Sequence, residues 1–351
     1  MLYPTLHRFV AGFEPETVRH VVLKTFAGWN TIGLARLTLP APPPAPRRVM
    51  GIDFPNPVGL AAGLDKNGEY IGPMSALGFG FIEIGTVTPR PQPGNPRPRL
   101  FLVPEHEGII NRLGFNNDGL DQLLRNVARS HFKGVLGINI GKNFDTPLER
   151  AHEDYVVGLR RVYAHASYVA VNISSPNTAG LRNLQNAEEL DALLAVLKSE
   201  QRTLAAGHGR YVPIAVKIAP DLTFEQVDAV ASLLLKHGMD GVIATNTTVS
   251  REGVEGTPLA KEAGGLSGAP LRTRATAILR RLCQALDGRL PVIGVGGILG
   301  GKDAVEKMEA GASLVQLYTG LVYRGPKLVR EVVSAILERE GATARPNRLP
   351  T

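Results

Sequence analysis

Residues 168–180 read YVAVNISSPNTAG: an apolar run, YVAVNI, that ends in asparagine and opens at once into a polar loop. A short run with no polar face belongs to a strand covered on both sides, the condition of a parallel sheet wrapped in helices. The same form recurs along the chain at PVGLAA (57–62), FIEIG (81–85), VLGINI (135–140), PIAVKI (213–218), GVIATN (241–246), PVIGVG (291–296) and LVQLY (314–318). Amphipathic stretches such as Ala187–Leu197, Thr223–His237 and Asp303–Ala310 lie between them. Eight alternating units predict an α/β fold, a closed (β/α)8 TIM barrel, with an open doubly wound sheet as the alternative.

The polar residues that finish these runs point to a site. Asp65-Lys66-Asn67, Thr86, Asn139, Asn172, Lys217, Thr245-Asn246 and Tyr318-Thr319 all stand in or just after the last apolar positions. In a parallel barrel the C-terminal strand ends meet at one mouth, so these side chains converge there. Each alone is an ordinary strand-to-loop residue; together, lysines and asparagines inside strand ends exceed what solvated loops require.

Composition narrows the partners. The chain has 351 residues, 44% of them hydrophobic and 20% charged, and holds no run of 18 apolar residues of the kind that crosses a bilayer. Its single cysteine, Cys283, forms no internal disulfide and suits a reducing compartment. The opening Met-Leu-Tyr-Pro lacks the pattern of a secretory signal. Of the formal charge of +7, a surplus of four falls in residues 1–48, where Arg8, Arg19, Lys24, Arg36, Arg47 and Arg48 face only Glu14 and Glu16. No Lys/Arg run with interleaved aromatics accompanies it, which disfavours nucleic acid as a partner.

Residues 1–38 read as a small two-helix extension, whose second helix carries Val18, Val21, Val22, Thr25, Phe26 and Trp29 on one stripe. A helix pair with an apolar face and excess Arg/Lys suits an anionic membrane surface, although packing against the barrel is the commoner fate of such a stripe. LPAPPPAP at 39–46 reads as a stiff proline linker, 47–337 as the barrel and 338–351 as a frayed tail.

Three motifs carry chemistry. GVGGILGGKD (294–303) fails as a dinucleotide fingerprint, because Leu299 stands where a third glycine is needed. It fails as a nucleotide-hydrolase loop, because Asp303 replaces the magnesium-binding hydroxyl. Paired with Tyr318-Thr319-Gly320 it reads as a barrel phosphate site, against a mere tight turn. Lys217, buried by its flanks, fits a Schiff-base nucleophile, an anion partner or a structural ion pair, and Lys66 adds a second cation. Asn111, Asn172, Asn177 and Asn246 offer donor and acceptor together, matching a ring with alternating N–H and C=O groups, though asparagine is also a common turn residue. Ser175 sits among them with no histidine nearby. From residues alone, a flavin enzyme, a Lys217 aldolase and a non-catalytic phosphate-binding barrel all stay open.

In order, AAGLDKNG, EIGTVTPRPQPGNPRPR, NRLGFNN, NIGKN, NISSPNT, KIAPDL, ATNTT, GGLSG and IGVGGI run from residue 61 to residue 298. A chain carrying them resembles the dihydroorotate dehydrogenases, over roughly residues 1–337, and looks most like their quinone-using, membrane-associated class 2. The cytosolic class uses a cysteine base, whereas Cys283 lies in the helical pattern AILRRLCQAL and Ser175 takes the base's position. The resemblance implies FMN held by Ala62, Gly63, Leu64, Asp65, Lys66, Thr86, Asn139, Asn172, Lys217, Thr245, Gly268, Gly297, Tyr318 and Thr319. It implies dihydroorotate against Lys66, Asn111, Arg112, Leu113, Gly114, Phe115, Asn172, Asn177, Asn246 and Thr247. Ser175 is then the catalytic base, Thr178 or a water its proton relay, and Lys66 and Lys217 the catalytic cations. No metal is implied. The activity implied is oxidation of dihydroorotate to orotate in pyrimidine biosynthesis, with ubiquinone or menaquinone as acceptor, at the cytoplasmic side of the cell membrane. Two small departures are Ala179, where the family often has proline, and Ala269, which follows Gly268 where a longer side chain is common.

Overall fold

The computed structural model describes residues 16–17, 21–25, 28 and 40–344. Eight parallel strands close into a barrel: β1 (Val58–Leu60), β2 (Phe81–Val87), β3 (Val135–Ile140), β4 (Tyr168–Asn172), β5 (Ile214–Ile218), β6 (Gly241–Ala244), β7 (Val292–Val295) and β8 (Leu314–Leu317). β8 pairs with β1, so every strand has two neighbours and the open-sheet alternative is excluded. Each of the eight expected runs is one of these strands.

The helices follow the strands: α1 (Ile71–Ser75), α2 (Gly119–Ser130), α3 (Ala151–Val162), α4 (Ala187–His208), α5 (Phe224–Lys236), α6 (Arg272–Leu286), α7 (Gly301–Glu309), α8 (Thr319–Arg324) and α9 (Lys327–Ala344). The runs carry no polar face because alternate residues do different work. Ile82, Ile84, Leu136, Ile138, Val169, Val171 and Val216 join the large core under the helices. Phe81, Val135, Tyr168, Ala170, Ala215, Ile243, Ile293 and Leu314 fill the lower barrel interior. Two glycines make this filling possible. A Cβ on Gly59 would lie 2.3 Å from the Phe81 ring, and one on Gly137 2.3 Å from that of Tyr168.

A hairpin, Arg47–Val49 with Ile52–Phe54, closes the bottom, its Phe54 ring edge-on to Phe81 at 5.2 Å. At the other end Leu100–Val103, Gly108–Asn111 and Gly265–Gly268 form an antiparallel sheet beside the mouth. Neither small sheet was expected from the sequence, because three- and four-residue strands leave no periodic signal.

Two boundaries differ from expectation. The proline segment does not stand off as a spacer: Ala45 is buried and donates to the Pro55 carbonyl at 3.1 Å, and Arg330 donates to the Ala41 carbonyl at 2.9 Å. The expected frayed tail begins too early, since α9 continues to Ala344. Ion pairs from Arg339 to Glu309 at 2.5 Å and from Glu340 to Arg47 hold that extra length to the barrel. Residues 345–351 lie outside the described residues.

Of the N-terminal stripe, Val18, Phe26 and Trp29 also lie outside the described residues. Val21, Val22 and Thr25 are helical and exposed, whereas Leu23 is buried in the main core. Glu16 is buried against Arg99, to which it is joined by two hydrogen bonds of 2.8 and 2.9 Å.

Candidate active site

Above the apolar filling, the inward positions of the same strands turn polar. Glu83, Asn139, Asn172, Lys217, Thr245 and Gln316 are all buried. They lie in or beneath a cavity that opens at the mouth of the barrel.

Most of the expected residues come together on its wall. Ala62, Gly63, Lys66, Thr86, Asn172, Lys217, Thr245, Gly268, Gly297, Tyr318 and Thr319 line it, as do Asn111, Leu113, Gly114, Phe115, Asn177, Asn246, Thr247 and Ser175. Five expected residues do not. Leu64 is part of the core behind the wall. Asp65 is buried and accepts from the backbone N–H of Glu69 at 2.9 Å and of Tyr70 at 2.7 Å, so it braces its own loop; burial pushes its carboxyl up to about 6. Asn139 lies one layer below the cavity. Arg112 turns away to Glu262 at 2.6 Å and stacks over the Phe101 ring. Thr178, three residues after Ser175, is buried, and its hydroxyl has no partner among the described residues.

The loop after β4 is held from two sides. Tyr155 donates to the Asn172 carbonyl at 2.8 Å. Arg182 donates to the Ser174 carbonyl at 3.1 Å and to the Thr247 carbonyl at 2.8 Å, tying this loop to the one after β6, and pairs with Asp221. Ser175 is thereby fixed on the wall, its Oγ accepting from the Asn177 N–H at 3.2 Å. Asn177 donates to Asn111 at 3.3 Å, and Asn246 donates to Asn172 Oδ1 at 3.4 Å and to Ser174 Oγ at 3.0 Å, so two asparagine pairs share the wall with the serine.

Lys217 is only 5% exposed, and its ammonium has no hydrogen-bond partner among the described residues. Burial pulls its pKa down, and the negative charge of Glu83 opposes that shift. Such a cation beside a cavity calls for an anionic occupant. The glycine loops after β7 and β8 also meet: a Cβ on Gly320 would lie 2.0 Å from the Ile298 carbonyl oxygen. Gly268 and Gly297 have φ of +94° and +77°, and a Cβ on either would strike backbone atoms within 2.3 Å. The N–H groups of Gly297 and Ile298 have no partner among the described residues, as an anion cradle requires.

Reading the strand ends alone misses Glu83, Ser267 and Gln316. Ser267 bonds Thr319 at 2.8 Å on the cavity wall. The missed signal for Glu83 was a charge in the middle of FIEIG, a strand with no solvent face. Cys283 lies on α6, against Gly311 rather than at the cavity, and burial pushes its thiol up to about 11.

Residues 45–339 match the family model described as dihydroorotate dehydrogenase. The chain is 59% identical over 341 residues to a dihydroorotate dehydrogenase (quinone) from Nitrosospira multiformis, covering 97% of each chain. It is 62% identical over 335 residues to the one from Chromobacterium violaceum, covering 95% of this chain and 97% of that one. A crystal structure of DHODH from Eimeria tenella in complex with ferulenol superposes with a TM-score of 0.85 at 37% identity, covering 94% of this chain and 92% of that one. With this fold, this cavity and these relatives, the chain belongs to the dihydroorotate dehydrogenase family, in its quinone-using class 2.

Proposed function

We propose that this chain oxidises (S)-dihydroorotate to orotate with Ser175 as the base, working from a membrane surface where quinone takes the electrons. The activity, the FMN cofactor and the quinone acceptor follow from family membership; the residue roles and the membrane are our reading. The observation that carries the reading is a serine and four asparagines on the wall of one cavity that also holds Lys217.

The cavity suits FMN. The glycine cradle at Gly268 and Gly297, with the unpartnered N–H groups of Gly297 and Ile298, fits a phosphate. Lys217, Asn172, Thr86 and the buried Oε1 of Gln316, which has no partner among the described residues, fit a ring of alternating donors and acceptors. Ala62, Gly63, Lys66, Thr245, Tyr318 and Thr319 complete the wall. When bound, FMN supplies the hydride acceptor.

The protein's own task is to hold the substrate and move one proton. Asn111, Asn177, Asn246 and Thr247 present amides and a hydroxyl to the ring of dihydroorotate, and Lys66 supplies a cation for its carboxylate. The C5 proton lies next to a carbonyl, so donors that stabilise charge developing on that oxygen make the proton removable by a weak base. Ser175 Oγ is such a base: with the Asn177 N–H already donated to it, its geometry is set before substrate arrives. Thr178, buried and unpartnered close by in the chain, is the proposed relay. No histidine is needed, because the serine takes a proton and forms no acyl intermediate.

Membrane attachment is supported by the basic surplus of residues 1–48 and by the exposure of Val21 and Val22, which the barrel does not cover. We place the protein at the cytoplasmic side of the cell membrane, as a peripheral protein. No helix among the described residues is long and apolar enough to cross a membrane.

The test is anaerobic. The purified protein should be yellow with one FMN per chain, bleach with dihydroorotate and regain colour with a long-chain quinone. Where the barrel still folds without Leu23 and Glu16, deleting residues 1–38 should spare bleaching while abolishing efficient recolouring and weakening binding to anionic vesicles. Failure of the full chain to bleach would refute the activity. Equal recolouring of both forms would refute the role of the extension.

A further inference from the structure

Glu83 is fully buried in the barrel interior, and the reaction as described above gives it no task. A buried carboxylate left without donors costs several kcal/mol, so its surroundings are informative. Asn139 Nδ2 donates to one oxygen at 2.9 Å; the Tyr168 hydroxyl and Gln316 Nε2 donate to the other at 2.8 and 2.7 Å. Both oxygens act as acceptors, the pattern of the ionised form.

An amide that donates with its nitrogen must turn its oxygen elsewhere, and here that choice propagates upward. Asn139 Oδ1 accepts from Thr86 Oγ1 at 2.6 Å. The Thr86 oxygen accepts from Asn172 Nδ2 at 3.0 Å. Asn172 Oδ1 accepts from the Ser174 hydroxyl at 2.9 Å and from Asn246 Nδ2 at 3.4 Å. Every donor in this chain points toward Glu83, from the Asn172–Asn246 pair down through the floor of the cavity. On a second branch, Gln316 spends its nitrogen on Glu83, which leaves Oε1 as the group not used below.

We propose that Glu83 is a positioning residue whose single negative charge sets the hydrogen-bond polarity of Asn139, Thr86, Asn172, Asn246 and Gln316, and so decides which of their atoms meet flavin and substrate. An asparagine can present either end of its amide, and two flipped amides would turn a matched ring contact into donor facing donor. A hydrogen-bond chain anchored on an acceptor-only group removes that ambiguity without touching either ligand. The same charge opposes the downward pull of burial on Lys217.

The inference rests on the proposed activity, and the test separates the two. Orotate binding to the FMN-loaded protein is read from the change in flavin absorbance, with no turnover. Glu83→Gln keeps the shape of the side chain but puts an amide nitrogen in place of one oxygen, against Asn139 Nδ2 on one side or against the Tyr168 hydroxyl and Gln316 Nε2 on the other, so Asn139 or Gln316 must turn. We expect its dissociation constant for orotate to rise about tenfold, or about 1.4 kcal/mol. Thr86→Val cuts the chain two links above Glu83 and should weaken orotate similarly. The double variant should fall short of the product of the two effects, because both break one network. A merely structural role for Glu83 would lower thermal stability and FMN content while leaving the orotate affinity of the loaded fraction unchanged. Glu83→Gln binding orotate within about twofold of wild type would overturn the proposal. Should Glu83→Gln not fold, an unchanged orotate affinity in Thr86→Val would overturn it instead. Wild-type protein that binds neither FMN nor orotate would refute the activity and not the role of Glu83.

Discussion

The two ends of the barrel interior are built from the same eight strands and obey opposite rules. At the bottom, Phe54, Phe81, Tyr168, Ala215, Ile243, Ile293 and Leu314 pack in one apolar cluster, and Gly59 and Gly137 are glycine because aromatic rings occupy the space of their side chains. Two or four residues further along six of the eight strands the inward position becomes Glu83, Asn139, Asn172, Lys217, Thr245 or Gln316. Tyr168 belongs to both halves, with its ring in the apolar layer and its hydroxyl on Glu83. The outward positions do not change character along the strand, since helices cover them throughout. The division between stability and chemistry is therefore made inside each strand, one alternate residue at a time, which leaves the loops to position the serine and the glycine cradle.

The sharpest way to break this contrast is to damage the bottom alone. Phe81→Ala removes a fully buried ring that touches Phe54 and lies 6.3 Å from the Tyr168 ring. Chemical denaturation should show a loss of about 3–5 kcal/mol. Flavin reduction by the fraction that remains folded should stay within about threefold of wild type, since Phe81 itself is not on the cavity wall. A variant of unchanged stability would mean that the bottom layer is not the structural element described.

The mouth is tested by the reverse. Ser175→Ala should slow flavin reduction by dihydroorotate at least 10²-fold, about 2.7 kcal/mol of barrier, the lower end of what general-base help supplies. Its denaturation midpoint should hardly move, because Ser175 Oγ accepts one loop hydrogen bond and fills no core. Rapid-mixing reduction at the wild-type rate would take the base's role from Ser175.

The contrast also explains what could be read in the sequence. Apolar runs on both parities are what strands under helices must look like, so the eight strands were legible to within two residues. Lysine and asparagine at strand ends marked the mouth, because their position conflicts with the runs that carry them. Glu83 has the same conflict in the middle of a strand, yet reading only the ends passes over it. Gln316 in LVQLY escapes for the same reason. Arg112 and Asp65 show the opposite error: both lie within family motifs, but a side chain's direction is set by a partner far away in sequence or by its own loop, Glu262 for one and the N–H groups of Glu69 and Tyr70 for the other. The helical continuation of α9 to Ala344 likewise depends on Arg47 and Glu309, which no local pattern announces.

The smallest expected effect falls in the outer layer, at neither end of the barrel. Cys283 lies on α6, partly exposed and packed against Gly311, where a Cβ would come within 2.7 Å of its own. A cysteine base would have to be ionised and beside the substrate. Burial instead pushes this thiol up to about 11, and Cys283 is not on the cavity wall. Cys283→Ala should therefore leave flavin reduction within about twofold of wild type and cost no more than about 1 kcal/mol of stability, the scale of one lost methylene-sized group. The sign of its pH dependence is fixed. Well below pH 9 the thiol is protonated in folded and unfolded chains alike and contributes nothing to the slope. As the pH rises from about 9 towards 11, only the unfolded chain releases the proton, so wild type loses stability that Cys283→Ala keeps, and the gap between the two closes or reverses. Thermal melts of both proteins between pH 7 and 10.5 read this directly. A large loss of flavin reduction in Cys283→Ala, with its melting temperature intact, would move the base away from Ser175 and undo the separation of layers on which the site rests.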